Sequence, residues 1–299
     1  MIFDDSELIR IAASARARGD IEHAMELYQQ AVDSWAAKVN ESSNQDYARL
    51  QLAIAHGGLG ECYADIGAID SAEHFSDIAN KNFEALFDET RDFHILNELV
   101  LCTQNRAVMA LNKDDITKCE QLLQSTEEWI KKMKLIDTEQ LATQAEALQY
   151  RIRADIARQM GSHQTVLRHI TQAAELADQV WRHKSGRYEI NLWLSLVCYQ
   201  ARTHSVLHEF EAGLKAIAPA VDFIDSNSEL PTFLKETKVS QLEVMLEYHL
   251  LLRKTGASYK LLNDIAERAA QLIVATSNID NHWMNALREF YQAELGSSI

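Results

Sequence analysis

The chain has 299 residues, 47% of them hydrophobic, with only 2 prolines and 10 glycines. This composition excludes disorder as the default state and, rich in helix formers with few obligatory breaks, predicts an all-α protein. A formal charge of −15 excludes sequence-independent attraction to nucleic acid or an anionic membrane, which needs clustered Lys and Arg.

Met1-Ile2-Phe3-Asp4-Asp5 lacks the basic and apolar regions of a signal peptide. No stretch approaches the about 18 apolar residues of a membrane span. A cytoplasmic protein without membrane insertion is expected. Leu8, Ile11, Ala12 and Ala15 then form an apolar stripe at helical spacing, Arg18-Gly19-Asp20 breaks it, and Ile21, Ala24, Leu27, Tyr28 and Ala31 begin a second stripe. An antiparallel helix hairpin follows. The pattern then repeats. The pairs Ala12/Ala15, Gly60/Tyr63, Ala107/Ala110, Ala154/Ala157 and Ala201/His204 are separated by steps of 48, 47, 47 and 47 residues. The triplets Ala24-Tyr28-Ala31, Ala72-Ser76-Ala79, Cys119-Leu123-Thr126, Val166-Ile170-Ala173 and Gly213-Ile217-Ala220 keep the same steps.

Between each pair and its triplet falls a turn, near Gly19, Gly67, Asp114-Asp115, Gly161-Ser162 and His208. Polar segments separate the repeats, including Asn40-Glu41-Ser42-Ser43-Asn44 and Asp225-Ser226-Asn227-Ser228; the latter, followed by Pro231, is the expected bend. A sixth, degenerate repeat runs through Leu250, Gly256, Leu262, Ala266 and Ala269, with its step stretched to about 49 residues. A last helix carrying Trp283, Leu287 and Tyr291 reads as a cap. The expected organisation is one array of repeats over residues 5–45, 46–91, 92–136, 137–185, 186–228 and 229–277, capped by 279–295. Self-similarity at such a period marks supersecondary units that bury their apolar faces only against neighbours.

Gly60 with Tyr63, then Gly67, Ala72 and Ala79, and Gly19-Asp20 with Ala24, Tyr28 and Ala31, resemble the tetratricopeptide repeat over roughly residues 5 to 276. Long-helix variants in bacterial regulatory domains are the nearer likeness, since the usual period is about 34 residues and the proline that commonly closes a repeat is missing. The resemblance implies a right-handed superhelical solenoid of antiparallel hairpins, with the first helix of each pair lining a concave groove.

Catalytic and metal-binding readings lose to structural ones. Asp114-Asp115-Ile116-Thr117-Lys118 offers two acids at a turn, where capping a helix accounts for them better than an Asp-rich metal cluster. His204 and His208 have the spacing of two ligands on one helix, but the expected break before His208 separates them; His163/His169 lack even that spacing. Gly57-Gly58-Leu59-Gly60 has no Gly-Lys-Ser/Thr after it, so close helix packing replaces phosphate binding. Cys62, Cys102, Cys119 and Cys198 read as core thiols, and Trp35, Trp129, Trp181, Trp193 and Trp283 as packing residues. No cofactor or metal is expected.

Placed on the family pattern, Arg10, Arg16, Glu61, Asp65, Gln104, Asn105, Asn112, Arg151, Asp155, Arg158 and Arg202 fall on or near the groove. Arg10, Arg16, Asn105, Asn112, Arg151, Asp155, Arg158 and Arg202 are the candidate partner-binding set. Arginines gathered in an acidic chain suit a carboxylate-bearing segment. Ion pairs with Glu and Asp of adjacent helices are the first reading for Arg10, Arg151 and Arg158, and partner binding through some of them is the second. The family's carboxylate clamp, with Lys and Asn at set places, is not reproduced. The expected function is a noncatalytic adaptor or regulator that binds a protein or peptide. A sensor that changes conformation around a short signalling peptide is the alternative, an all-α enzyme the second, and a homo-oligomer is compatible with each.

Overall fold

The computed structural model describes residues 5–39, 45–137, 140–184, 186–226, 237–276 and 282–294. Within them the regular elements are thirteen α-helices: α1 (Asp5–Ala17), α2 (Ile21–Val39), α3 (Gln45–Asp65), α4 (Ile69–Thr90), α5 (Phe93–Asn112), α6 (Ile116–Met133), α7 (Leu141–Gln159), α8 (His163–His183), α9 (Arg187–Val206), α10 (Phe210–Ser226), α11 (Lys238–Lys254), α12 (Tyr259–Ala275) and α13 (His282–Glu294). Among the described residues, no helix is long and apolar enough to cross a membrane. The chain divides into two compact units, Met1–Ala145 and Glu146–Ile299, with the boundary inside α7.

The hairpins close by one device. Gly19, Gly67, Asp114, Gly161, His208 and Gly256 all have φ between 59° and 83°. Such a left-handed residue lets the chain leave a helix while its last carbonyls stay hydrogen-bonded. At each turn the residue after it donates N–H to a carbonyl five residues back, from Asp20, Ala68, Asp115, Ser162, Glu209 and Ala257 to Ala15, Tyr63, Ala110, Ala157, His204 and Leu252. The first five acceptors are the second members of the small-residue pairs, so the ladder marks where a helix ends as well as where it packs. Asp114 and His208 occupy a conformation that Asp, Asn and His tolerate better than most side chains. Asp115 then caps α6, its carboxylate accepting from Lys118 N–H at 3.0 Å. His208 lies beyond the end of α9, while His204 Nδ1 meets Glu209 at 2.8 Å, so the two imidazoles share no helix face.

All five triplets are buried. In the N-terminal unit α3 packs between α2 and α4, and its glycines permit the approach: a Cβ on Gly58 would lie 2.3 Å from the Tyr28 ring, and one on Gly60 2.5 Å from Ser76 Oγ. Leu86, Leu99, Ile130 and Met133 fill the core farther along this unit. In the C-terminal unit Ile170, Ile190, Leu194, Ile217, Met245 and Leu251 belong to one core. Trp181, Trp193 and Phe223 form an aromatic cluster there, with centroids 5.0–5.6 Å apart. The four cysteines are buried and unbridged, as small core thiols should be.

Helix α11 departs from the others. Its buried residues include Leu242, Glu243, Val244, Met245, Leu246, Glu247 and Leu251, which cover every side of the helix. A helix buried all round is packed on every face; α9, α10, α12 and α13 are its neighbours. Met284 and Leu287 of α13 are buried in the core of this unit. The expected bend at Asn227-Ser228 and Pro231, the polar segment 40–44 and the side chain of Trp283 lie outside what the structure describes.

Candidate functional site

The candidate residues separate into two groups with different chemistry. In the N-terminal unit Arg16, at the end of α1, reaches α3: its Nε lies 2.6 Å from Asp65 Oδ2, and Nη1 pairs with Glu61. Burial opposes the guanidinium charge, but the hydrogen bond it donates to Asp65 and the fields of Glu61 and Asp65 outweigh it and raise the Arg16 pKa. Asn105 of α5 donates Nδ2–H to the other oxygen of Glu61 at 2.8 Å. Arg16 and Asn105 therefore tie three successive first helices together. Ion pairing with α3 thus occupies the Arg16 guanidinium.

Beside this network lies a cavity of about 170 Å³ bounded by Tyr28, Gly58, Glu61, Glu98, Cys102 and Asn105. Burial, reinforced by the field of Glu61, raises the Glu98 pKa. Arg10 lies on α1 with Nη2 2.9 Å from Glu7, and Asn112 ends α5 exposed to solvent. Gln104 is buried and donates Nε2–H to the Ala145 carbonyl at 2.7 Å, so its amide nitrogen is used within the core.

In the C-terminal unit Arg151, Asp155, Arg158 and Arg202 come together. Arg151, Asp155 and Arg158 recur at i, i+4 and i+7 on α7 and so share one face. Ser195, Tyr199 and Arg202 of α9 and Ser240 and Glu243 of α11 complete the walls of a cavity of about 620 Å³. Its volume lies within the about 300–1,000 Å³ of ordinary binding sites. Every one of these residues is on the first helix of a hairpin, the helix that the family resemblance implied for the binding side.

The cavity's charges are unevenly satisfied. Arg202 is held by Glu243 Oε1 at 3.2 Å and Glu247 Oε2 at 3.3 Å, and Ser205 donates to Glu247 at 3.0 Å. Burial works against the Arg202 charge, while Cys198, Glu243 and Glu247 together raise its pKa. Glu243 is itself pushed upward, because its burial outweighs Arg202 and Arg151. Tyr199 donates its hydroxyl to Asp155 at 3.0 Å; burial first, then Asp155, pushes the phenol up to about 12.

Arg158 reaches Asp155 only at 3.6 Å and its side chain is 60% exposed. Arg151 is exposed, and among the described residues no carboxylate forms an ion pair with it. Two of the three guanidiniums therefore retain donor capacity toward an incoming anion. A guanidinium fork matches carboxylate geometry with two parallel hydrogen bonds.

Sequence reasoning missed Tyr199, Glu243 and Glu247. Tyr199 and Asp155 reproduce the contact of Asn105 with Glu61 two repeats earlier: both pairs are 44 residues apart. This periodicity was available as a signal. For Glu243 and Glu247 the signal was their position, one turn apart in the otherwise apolar stretch Leu242-Glu243-Val244-Met245-Leu246-Glu247.

No protein-family model matches the chain, and no curated protein is similar to it. Among solved structures, it is similar to Assembly Chaperone of RpL4 (Acl4), residues 1–338, at 14% identity over 99% of this chain and 98% of that one, with a TM-score of 0.37. It is also similar to a tetratricopeptide repeat protein from Parabacteroides merdae, at 14% identity over 96% and 97% of the respective chains, with a TM-score of 0.34.

Proposed function

We propose that the chain is a noncatalytic adaptor that holds an acidic segment of a partner protein against the first helices of its C-terminal unit. The observation that carries this reading is the 620 Å³ cavity on which Arg151 and Arg158 present guanidiniums with little or no carboxylate pairing. Arg202, already neutralised by Glu243 and Glu247, serves as a fixed wall of that cavity and leaves recognition of the anion to the two α7 arginines. In a chain of net charge −15, such a site concentrates attraction at one place and repels acidic surfaces elsewhere, which favours orientation and specificity. The continuous array of six hairpins and a cap, its superhelical groove and a cytoplasmic setting belong to the same proposal.

The test is binding of fluorescein-labelled acidic dodecapeptides to wild type and to an Arg151→Glu/Arg158→Glu variant at two ionic strengths. Wild type is expected to bind, with weakening at high salt; the variant is expected to bind at least about tenfold more weakly at unchanged helical circular dichroism, since charge reversal adds repulsion to lost pairing. Equal affinity in a folded variant would remove these arginines from the site.

A further inference from the structure

A second cavity adjoins the arginine site and has the opposite character. It measures about 530 Å³, and Val206, Phe210, Leu246, Leu250, Leu287 and Phe290 give it a predominantly apolar lining. Arg202 and Glu243 line both cavities and form their common wall. The remaining charged or titratable groups around the apolar cavity are Glu247, which is spent on Arg202 and Ser205, together with His208 and Lys254 at the ends of α9 and α11.

We infer that one partner segment occupies both cavities, its carboxylate facing Arg151 and Arg158 and a bulky apolar side chain entering the 530 Å³ cavity three residues away. This inference rests on the acidic-segment reading and specifies the sequence that such a segment must carry. The occupant follows from continuity and charge. The apolar cavity has a wall in common with a site that selects an anion, and its acids Glu243 and Glu247 are both committed to Arg202. With Lys254 the cavity's two acids are matched by two cations, so the group that fits beside the carboxylate is an uncharged, apolar one.

The spacing follows from helix geometry. On α9 the arginine cavity is lined from Ser195 to Arg202 and the apolar one from Arg202 to Val206; on α11 the corresponding stretches are Val239 to Glu243 and Glu243 to Lys254. The centres of these stretches differ by between five and six residues on α9 and between seven and eight on α11, or about 8–11 Å along a helix rising about 1.5 Å per residue. An extended chain covers that distance in about three residues. The recognised element is therefore an acid and a large apolar residue three positions apart.

The experiment uses the full chain and acetylated dodecapeptides of Ser and Gly bearing a Glu-Glu pair, with one Phe stepped from one to six positions beyond it on either side. Fluorescence polarisation is expected to peak at a spacing near three, and replacing that Phe with Ala should weaken binding about tenfold or more, as for an anchor in a desolvated cavity. Ala286→Trp, at an exposed position of α13 beside the cavity, should weaken the Phe peptide and leave the Ala peptide unchanged. That pattern, a coupling between the two changes, locates the anchor.

If the acids matter but the Phe does not, at any spacing, the inference fails and the acidic-segment reading stands. If the Phe matters without coupling to Ala286→Trp in a variant of unchanged circular dichroism, the anchor binds elsewhere and the inference also fails. If no peptide binds, or if binding ignores the acids, both fall.

Discussion

The two units use one repeat position for different ends. Glu61 in the N-terminal unit and Asp155 in the C-terminal unit follow the first member of their small-residue pairs, and each accepts a hydrogen bond from a residue 44 positions later. In the N-terminal unit Arg16 closes on Glu61 from the first helix of the preceding hairpin, and the neighbouring cavity holds only about 170 Å³. In the C-terminal unit the arginines Arg151 and Arg158 lie on the helix that carries Asp155, where they face a cavity of about 620 Å³. An arginine that reaches forward to an acid of the next hairpin locks the stack. An arginine on the same helix as its acid remains partly available.

The largest expected effect tests the tight packing of the N-terminal unit. Gly58→Ala places a Cβ 2.3 Å from the ring of buried Tyr28, so overpacking should cost about 2 kcal/mol after the helical gain of replacing glycine. Gly213→Ala in the C-terminal unit meets Leu251 Cδ2 at 2.8 Å and the Ala201 carbonyl at 3.2 Å; a methyl can shift more readily than a ring, and about 1 kcal/mol is expected. Urea unfolding midpoints that reversed this order would break the contrast between a tight and a looser unit.

Next comes the shared acid. Glu61→Gln removes the charge that holds Arg16 as well as one acceptor for Asn105, and should cost about 1 kcal/mol. Asp155→Asn disturbs a bond from a neutral phenol and should cost about half as much. Equal losses in equilibrium unfolding would mean that Arg16 contributes nothing beyond its hydrogen-bonding neighbour.

Acid should weaken both units through different histidines. Burial, seconded by His74, lowers the pKa of His56, which stacks on Phe75; burial, seconded by Arg168 and Arg153, lowers that of His169, which stacks on Tyr150. A histidine with a lowered folded pKa binds fewer protons folded than unfolded. Its contribution is therefore complete above the ordinary value of 6.5 and declines as pH falls from there toward the folded pKa. Comparing the pH dependence of unfolding in His56→Phe and His169→Phe should show part of that decline removed in each, and an unchanged slope would exclude the substituted residue. The smallest effect is expected from Arg151→Glu/Arg158→Glu, whose exposed sites should change stability by less than about 0.5 kcal/mol.

The hairpins were legible in the sequence because their determinants are local. Small residues that permit helix approach, a left-handed residue at the turn and a buried triplet lie within one repeat, so Gly67, Asp114 and His208 could be placed as turns without knowledge of a neighbour. The site was only half legible. Arg151, Asp155 and Arg158 share a face by spacing alone, whereas Arg16 and Arg202 bind acids 41 to 49 residues away, a choice set by how helices cross. Glu243 and Glu247 stood out as acids in an apolar stretch, but the stretched step of the sixth repeat displaced their alignment with Arg202, so their partner could not be read.

The turn closures bear on how the chain folds. Each hairpin is sealed by bonds from a left-handed residue and its successor to carbonyls three and five residues back, so little loop entropy is lost before the two helices meet. Interactions of short sequence separation give fast folding, and a stack of such hairpins can begin at any of them and grow by addition of neighbours. During synthesis the α1–α2 hairpin, with Gly19 at its turn, can form before the later repeats emerge from the ribosome and offer α3 a surface on which to assemble.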